Sequence, residues 1–206
     1  VAMEFAQMAR SLGVQSIIVA EITMKSGYHL TFLADTAKGY SNLCNLISYS
    51  HMTSNRHRPE LDPSLIANHT DGLTLLTGCR SGLLSNLLDE EEYEKATTTI
   101  KEYIDWFGAS NVFVELQKNL VYGDTARNKD LVALAKKVKI GVVATNNVHY
   151  HVPQRHRLQD ALVAISNNKS LEETHRERRP NKQFYLKSAT EISYLFKDCP
   201  EAIRNT

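Results

Sequence analysis

The sequence predicts an α/β fold, a parallel sheet flanked by helices, and three observations carry that expectation. Short apolar runs rich in β-branched residues, at 16–21 (SIIVAE), 29–34 (HLTFLA), 72–79 (GLTLLTGC), 111–116 (NVFVEL) and 140–143 (IGVV), are interleaved with segments whose apolar residues fall at helical spacing. Several of these runs end in a polar or ionisable residue, as buried parallel strands do when they run out at a functional rim. No repeat or low-complexity segment interrupts the pattern. Strand, helix, strand, helix in this order leaves a doubly wound sheet and a closed barrel both open.

Composition narrows the function classes. With 206 residues, 42% of them hydrophobic, the chain can bury one sizeable core. A net charge of +1 does not by itself point to nucleic acid, membrane or an acidic partner. Cys44, Cys79 and Cys199 are odd in number, widely spaced and in no Cys-x-x-Cys pair, which fits a reducing compartment. No apolar run approaches the roughly 20 residues needed to span a bilayer, and no signal peptide opens the chain, so a cytoplasmic protein is expected. Because the sequence starts inside a helical pattern at Val1 and stops straight after another at Thr206, it reads as a piece of something larger.

The first helix sets Phe5, Met8, Ala9 and Leu12 on one face and is closed by Gly13. The strand at 16–21 ends in Glu21; a turn at 25–28 leads to the strand at 29–34. Residues 39–52 are helical, with Tyr40, Leu43, Cys44 and Ile47 lining one side, which makes Cys44 a core residue. His51 ends this helix, before the basic loop 54–60 (SNRHRPE). Asp62 followed by Pro63 reads as an N-cap with proline in the first helical position, opening a short helix. After the strand at 72–79 a long helix carries Tyr93, Ala96, Ile100, Tyr103, Ile104 and Phe107 as a core stripe. A further helix turns Leu131, Leu134, Ala135 and Val138 inward and returns the chain to the strand at 140–143. Beyond Pro153 another amphipathic helix carries Leu158, Ala161, Leu162 and Ile165; residues 184–186 form a short strand. Ser170 with Glu173 and Ser188 with Glu191 have capping-box spacing.

A handful of positions carry chemistry. Residues 142–151 (VVATNNVHYH) place Asn146, Asn147 and His149 after a strand's carboxyl end, where α/β sheets bind ligands. Alternation puts Asn147 and His149 on one side; an acid at 147 would complete an Asp-x-His metal clamp, and the amide weakens it. Cys79 sits at a strand end instead of on an apolar face, so thiolate ligation and simple burial are both open. Glu21 is either a ligand or a solvated strand end, and His51 either a ligand or a surface histidine on the helix dipole. In residues 174–182 (THRERRPNK), Arg176, Arg178, Arg179 and Lys182 face the single acid Glu177, as a solvated loop or as contacts to a phosphate backbone.

Taken together, the strand ending in Glu21, YSNLC, LTGCRSG around Cys79, FVELQ around Glu115, VATNNVHY around His149, FYLKSATEISYLF and the closing PEAIRNT resemble the PHP (polymerase and histidinol phosphatase) domain of the bacterial DNA polymerase III alpha subunit. LTGCRSG and ATNNVHY are closer to the error-prone, translesion form than to the main replicative one. The resemblance covers essentially the whole chain. It implies a distorted parallel (βα)7 barrel with a metal cluster at the carboxyl ends of its strands, here lacking the N-terminal strand and its His-x-His segment. Residues 1–206 would then be an N-terminally truncated PHP domain, with a basic segment 175–206 leading toward the polymerase core.

The resemblance also implies metal-ligand positions at Glu21, His51, Cys79, Asn147 and His149, with Asn147 standing where the family has Asp. The function it implies is that of a scaffold domain in a C-family DNA-directed DNA polymerase, a nucleotidyltransferase of DNA replication, repair or translesion synthesis. Its partner would be the remainder of the polymerase chain, with DNA met through that parent, by Arg176, Arg178, Arg179 and Lys182 if at all, and no membrane. Zinc or manganese at low occupancy is the expected cofactor here, and magnesium that of the parent polymerase. No catalytic residue is expected within the chain, since Glu21 and the Cys79 thiolate are too few anions to offset a cluster of divalent cations. The alternative is a metal-dependent phosphoesterase: a proofreading exonuclease, a pyrophosphatase or a small-molecule phosphatase.

Overall fold

Five strands frame the protein, β1 (Ile18–Thr23), β2 (His29–Ala34), β3 (Leu73–Leu76), β4 (Val112–Gln117) and β5 (Gly141–Thr145), in one sheet of order β1-β2-β3-β4-β5. The structure is a computed structural model and describes residues 2–55 and 58–206; Arg56 and His57 of the expected basic loop lie outside the described residues. The helices are α1 (Ala2–Ser11), α2 (Ala37–Thr53), α3 (Leu83–Asp89), α4 (Tyr93–Phe107), α5 (Asp124–Val138), α6 (His156–Ser166), α7 (Ala189–Leu195) and α8 (Pro200–Arg204). The chain packs as two compact units, Val1–Glu115 with Leu131–Gly141, and Leu116–Asp130 with Val142–Thr206.

The α/β class is as expected, but the strand directions are mixed. β3 and β4 pair parallel, whereas β1 with β2 and β2 with β3 pair antiparallel. The first reversal follows from length: the turn between Thr23 and His29 is too short for the crossover a parallel pair requires. The second follows from the path of the chain. α2 carries it to the far end of the sheet, where Leu61 bridges Met24, and residues 62–72 bring it back, so Leu73 enters opposite Ala34. Gly39 and Gly72 permit that return, because a Cβ on Gly39 would lie 1.7 Å from the Gly72 carbonyl oxygen.

The core of the first unit is aliphatic and aromatic. Phe32, Leu43, Leu46, Leu61, Ile66, Leu73, Leu75, Leu84, Ile100, Val112 and Val114 are all but fully buried. In α2 the inward stripe is Gly39, Asn42, Leu43, Leu46 and Ser50. Cys44 lies off that stripe and is exposed, which corrects its assignment to the core. The long helix expected after Cys79 is two, α3 and α4; Ala96, Ile100, Tyr103 and Phe107 are buried as expected, whereas Tyr93 at the start of α4 is half exposed. Asp62 caps its segment by accepting from the Ser64 N–H, but the turn that follows, Pro63–Asn68, is a 3-10 helix. The apolar face of α1 is not buried: Phe5, Met8 and Leu12 are 58%, 62% and 71% exposed, and only Ala9 is inside.

In the second unit Asn205 Nδ2 donates to the Val142 carbonyl and Thr206 Oγ1 to that of Ala144, which ties the last residues to β5. The short strand expected at 184–186 is a single bridge between Tyr150 and Tyr185. Ser188 and Glu191 form a complete capping box at the start of α7. Ser170 and Glu173 exchange the same pair of bonds, 2.9 and 3.3 Å, yet only turns follow. α6 leaves Leu158, Leu162 and Ile165 exposed and buries Ala164. Among the described residues no helix is long and apolar enough to cross a membrane.

Candidate metal centre

The antiparallel pairing of β1, β2 and β3 gathers three ligand-type side chains at one end of the sheet. Glu21 lies opposite Thr31, and His29 is two residues further along the same face of β2, the diagonal neighbour of Glu21. His29 Nδ1 is 3.2 Å from Glu21 Oε1. β3 runs back toward the start of β2, and Gly78 lets the chain beyond it come in against His29. At φ +91° a Cβ there would stand 2.3 Å from the His29 carbonyl oxygen, so glycine is required on two counts. Cys79 follows directly, and its Sγ, an imidazole nitrogen of His29 and a carboxylate oxygen of Glu21 all lie within 4.8 Å of one another.

Burial pushes the Cys79 thiol above its ordinary pKa; the Ser81 N–H opposes this, and the negative charges of Glu21 and Glu115 add to it. Glu115, near the end of β4, is buried. The two carboxylate charges that add to this shift also attract a cation, and a bound cation would reverse the balance in favour of the thiolate. One carboxylate, one imidazole and one thiol make a donor set that fits a single zinc ion, whose ligands are nitrogen, sulfur and oxygen in a tetrahedron.

Of the five expected ligand positions, Glu21 and Cys79 thus stand together. His29, read only as the first residue of a strand, is the member the sequence did not point to. His51 is in the last turn of α2, exposed and outside this group. Asn147 and His149 belong to the second unit and form their own pair, with His149 Nε2 3.0 Å from Asn147 Oδ1. With the amide oxygen as acceptor, Nε2 carries the proton and Nδ1 keeps a lone pair. Burial, and then the positive charge of Arg179, lowers the pKa of His149 and favours the neutral ring.

Asn147 has φ +44°, a left-handed conformation that asparagine tolerates better than most residues. Asn146, expected to face a site, is spent on structure: its Nδ2 donates to the Tyr185 carbonyl at 2.6 Å, and its Oδ1 accepts from the buried Lys187 at 3.0 Å. The basic stretch is divided. Arg178 is partly buried and paired with Asp160 at 3.3 Å, while Arg176, Arg179 and Lys182 are exposed, Arg179 lying over the Phe184 ring.

The mixed α/β sheet thus gathers Glu21, His29 and Cys79 at one rim. Residues 1–119 match the family model of the PHP domain, and the chain belongs to that family. It is 31% identical to an error-prone DNA polymerase of Symbiobacterium thermophilum over 100% of this chain and 20% of that protein. A DNA polymerase III subunit alpha of Treponema pallidum is 30% identical, over 100% and 19%. An error-prone DNA polymerase of Mycolicibacterium paratuberculosis is 30% identical, over 98% and 20%. The chain therefore spans about a fifth of the length of the curated relatives it matches.

Proposed function

We propose that this chain is the scaffold PHP domain at the N-terminus of a cytoplasmic bacterial DNA polymerase of the C family, carrying a reduced metal site. The whole-length match to replicative and error-prone polymerases alike supports the parentage and leaves both replication and translesion repair as its setting. The observation that carries the reduced site is the donor count. The Glu21, His29 and Cys79 group supplies one carboxylate, and the Asn147 and His149 pair supplies none. A cluster of divalent ions needs several anionic ligands. A single ion held by a thiolate and an imidazole is zinc in preference to manganese, which suits oxygen donors.

The role of the domain is then to support the rest of the polymerase chain, whose magnesium-dependent nucleotidyl transfer lies elsewhere. Arg176, Arg179 and Lys182 are the exposed cations proposed to meet DNA, while Arg178 with Asp160 holds that stretch in place. The second reading, a metal-dependent phosphoesterase, is set against this by assay. With zinc or manganese added, the chain should hydrolyse bis(p-nitrophenyl) phosphate and end-labelled DNA no faster than its Cys79→Ser variant. Metal-dependent hydrolysis that Cys79→Ser abolishes would replace the scaffold reading with the phosphoesterase one.

A further inference from the structure

Where the β1–β2 turn meets α4, the first unit holds a cavity of about 120 Å³ whose walls include Met24, Tyr28, Leu30, Glu102, Tyr103 and Trp106. None of the Glu21, His29 and Cys79 group lines it. Three of its side chains are aromatic. Tyr103 and Trp106 sit three residues apart on α4, with ring centroids 5.8 Å apart and planes tilted by 44°, so they form a wedge, not a stack. The floor is apolar and fixed, since Met24 and Leu30 are each only 3% exposed.

The polar character of the cavity lies at its rim. Glu102, exposed on α4, is the one charged side chain among the described residues that line it, and it takes part in none of the ion pairs among those residues. Burial, with the charge of Glu102 second, holds the Tyr103 phenol far above its ordinary pKa, so it stays a neutral hydroxyl. Aromatic faces attract cations through the ring quadrupole, an apolar floor accepts the methylene groups next to the charge, and a lone carboxylate at the rim completes the match in charge. A neutral ligand would gain from the floor alone, and an anion would be repelled by Glu102.

We propose that this cavity binds the charged end of an alkylammonium cation, the group shared by polyamines and lysine side chains. Trp106 is the only tryptophan in the chain, so its emission reports on the cavity directly. The 206-residue chain is titrated at constant ionic strength with tetramethylammonium, butylammonium and, as the neutral isostere, neopentyl alcohol. Both ammonium ions should change the emission saturably and the alcohol should not. Glu102→Gln should weaken butylammonium binding about fivefold or more, while Tyr103→Phe, which keeps the ring, should alter it less than about twofold. Thermal unfolding verifies that each variant is folded.

A second arm separates the sources. Tighter binding of spermidine than of a blocked lysine tripeptide assigns the site to free polyamines, and the reverse assigns it to a partner's lysine. An equal response to neopentyl alcohol, the absence of saturation with every cation, or unchanged affinity in Glu102→Gln would overturn the proposal.

Discussion

His29 owes its place beside Glu21 to the direction of one strand. Had β2 run parallel to β1, its first residue would have stood at the opposite end of the sheet from the last residues of β1. The hairpin brings them to 3.2 Å. Nothing in HLTFLA reveals that direction; the short turn at 24–28 was the available signal, and the regular alternation of strands and helices outweighed it. Cys79 was legible because a thiol at a strand end differs from one on an apolar face. Cys44 was not, since one position along a helix turns a side chain by about 100° and moves it off the buried stripe. Cys79→Ser and His29→Ala should each lower zinc affinity by more than about tenfold in a competition titration with a chromogenic chelator, whereas His51→Ala should leave it unchanged. Because the Cys79 thiol is held above its ordinary pKa, zinc must displace its proton, so affinity should rise by about tenfold per pH unit below that pKa. An affinity flat between pH 6 and pH 8 would mean that the thiol is no ligand.

Elements depend on a few backbone positions. Gly78 joins β3 to the Glu21, His29 and Cys79 group at φ +91° with no room for a side chain. Gly78→Ala should cost about 2 kcal/mol or more, a fall in Tm of about 4–8 °C for a chain of this size, and should weaken zinc binding along with it. The spacing of Ser188 and Glu191 predicts the capping box that opens α7, and its chemistry can be tested by pH. The Tyr185 hydroxyl, the Ser188 backbone and the Ser188 hydroxyl hold the Glu191 carboxyl at about 2, below its ordinary value. A carboxyl whose folded pKa is lowered contributes stability above its unfolded pKa of about 4.3 and loses it as the pH falls through the folded value. Hydrogen-exchange protection of the α7 amides, corrected for intrinsic rate, should therefore decline from about pH 4.3 toward pH 2, and the decline should vanish in Glu191→Gln. Ser170 and Glu173 show the limit of the same signal: the bonds form, but no apolar face follows for a helix to bury.

At the scale of the whole molecule, the α/β class and most of the elements could be read from periodicity, while strand direction and the division into two units could not, because both are set by contacts between residues far apart in sequence. The apolar faces of α1 and α6 were visible as stripes, but periodicity cannot say what covers a stripe. Phe5, Met8 and Leu12 are exposed in the first unit. Phe5→Glu with Met8→Lys should leave the unfolding free energy, measured by denaturant titration, within about 0.5 kcal/mol, since those side chains hold no core together.

The reduced metal site is the claim on which the scaffold reading depends, and metal content tests it most directly. After chelator treatment, reconstitution with excess zinc or manganese and removal of unbound ion, elemental analysis should find at most one ion per chain, with zinc retained over manganese and lost in Cys79→Ser. Two or more ions per chain, or a full zinc content that Cys79→Ser leaves intact, would contradict the account.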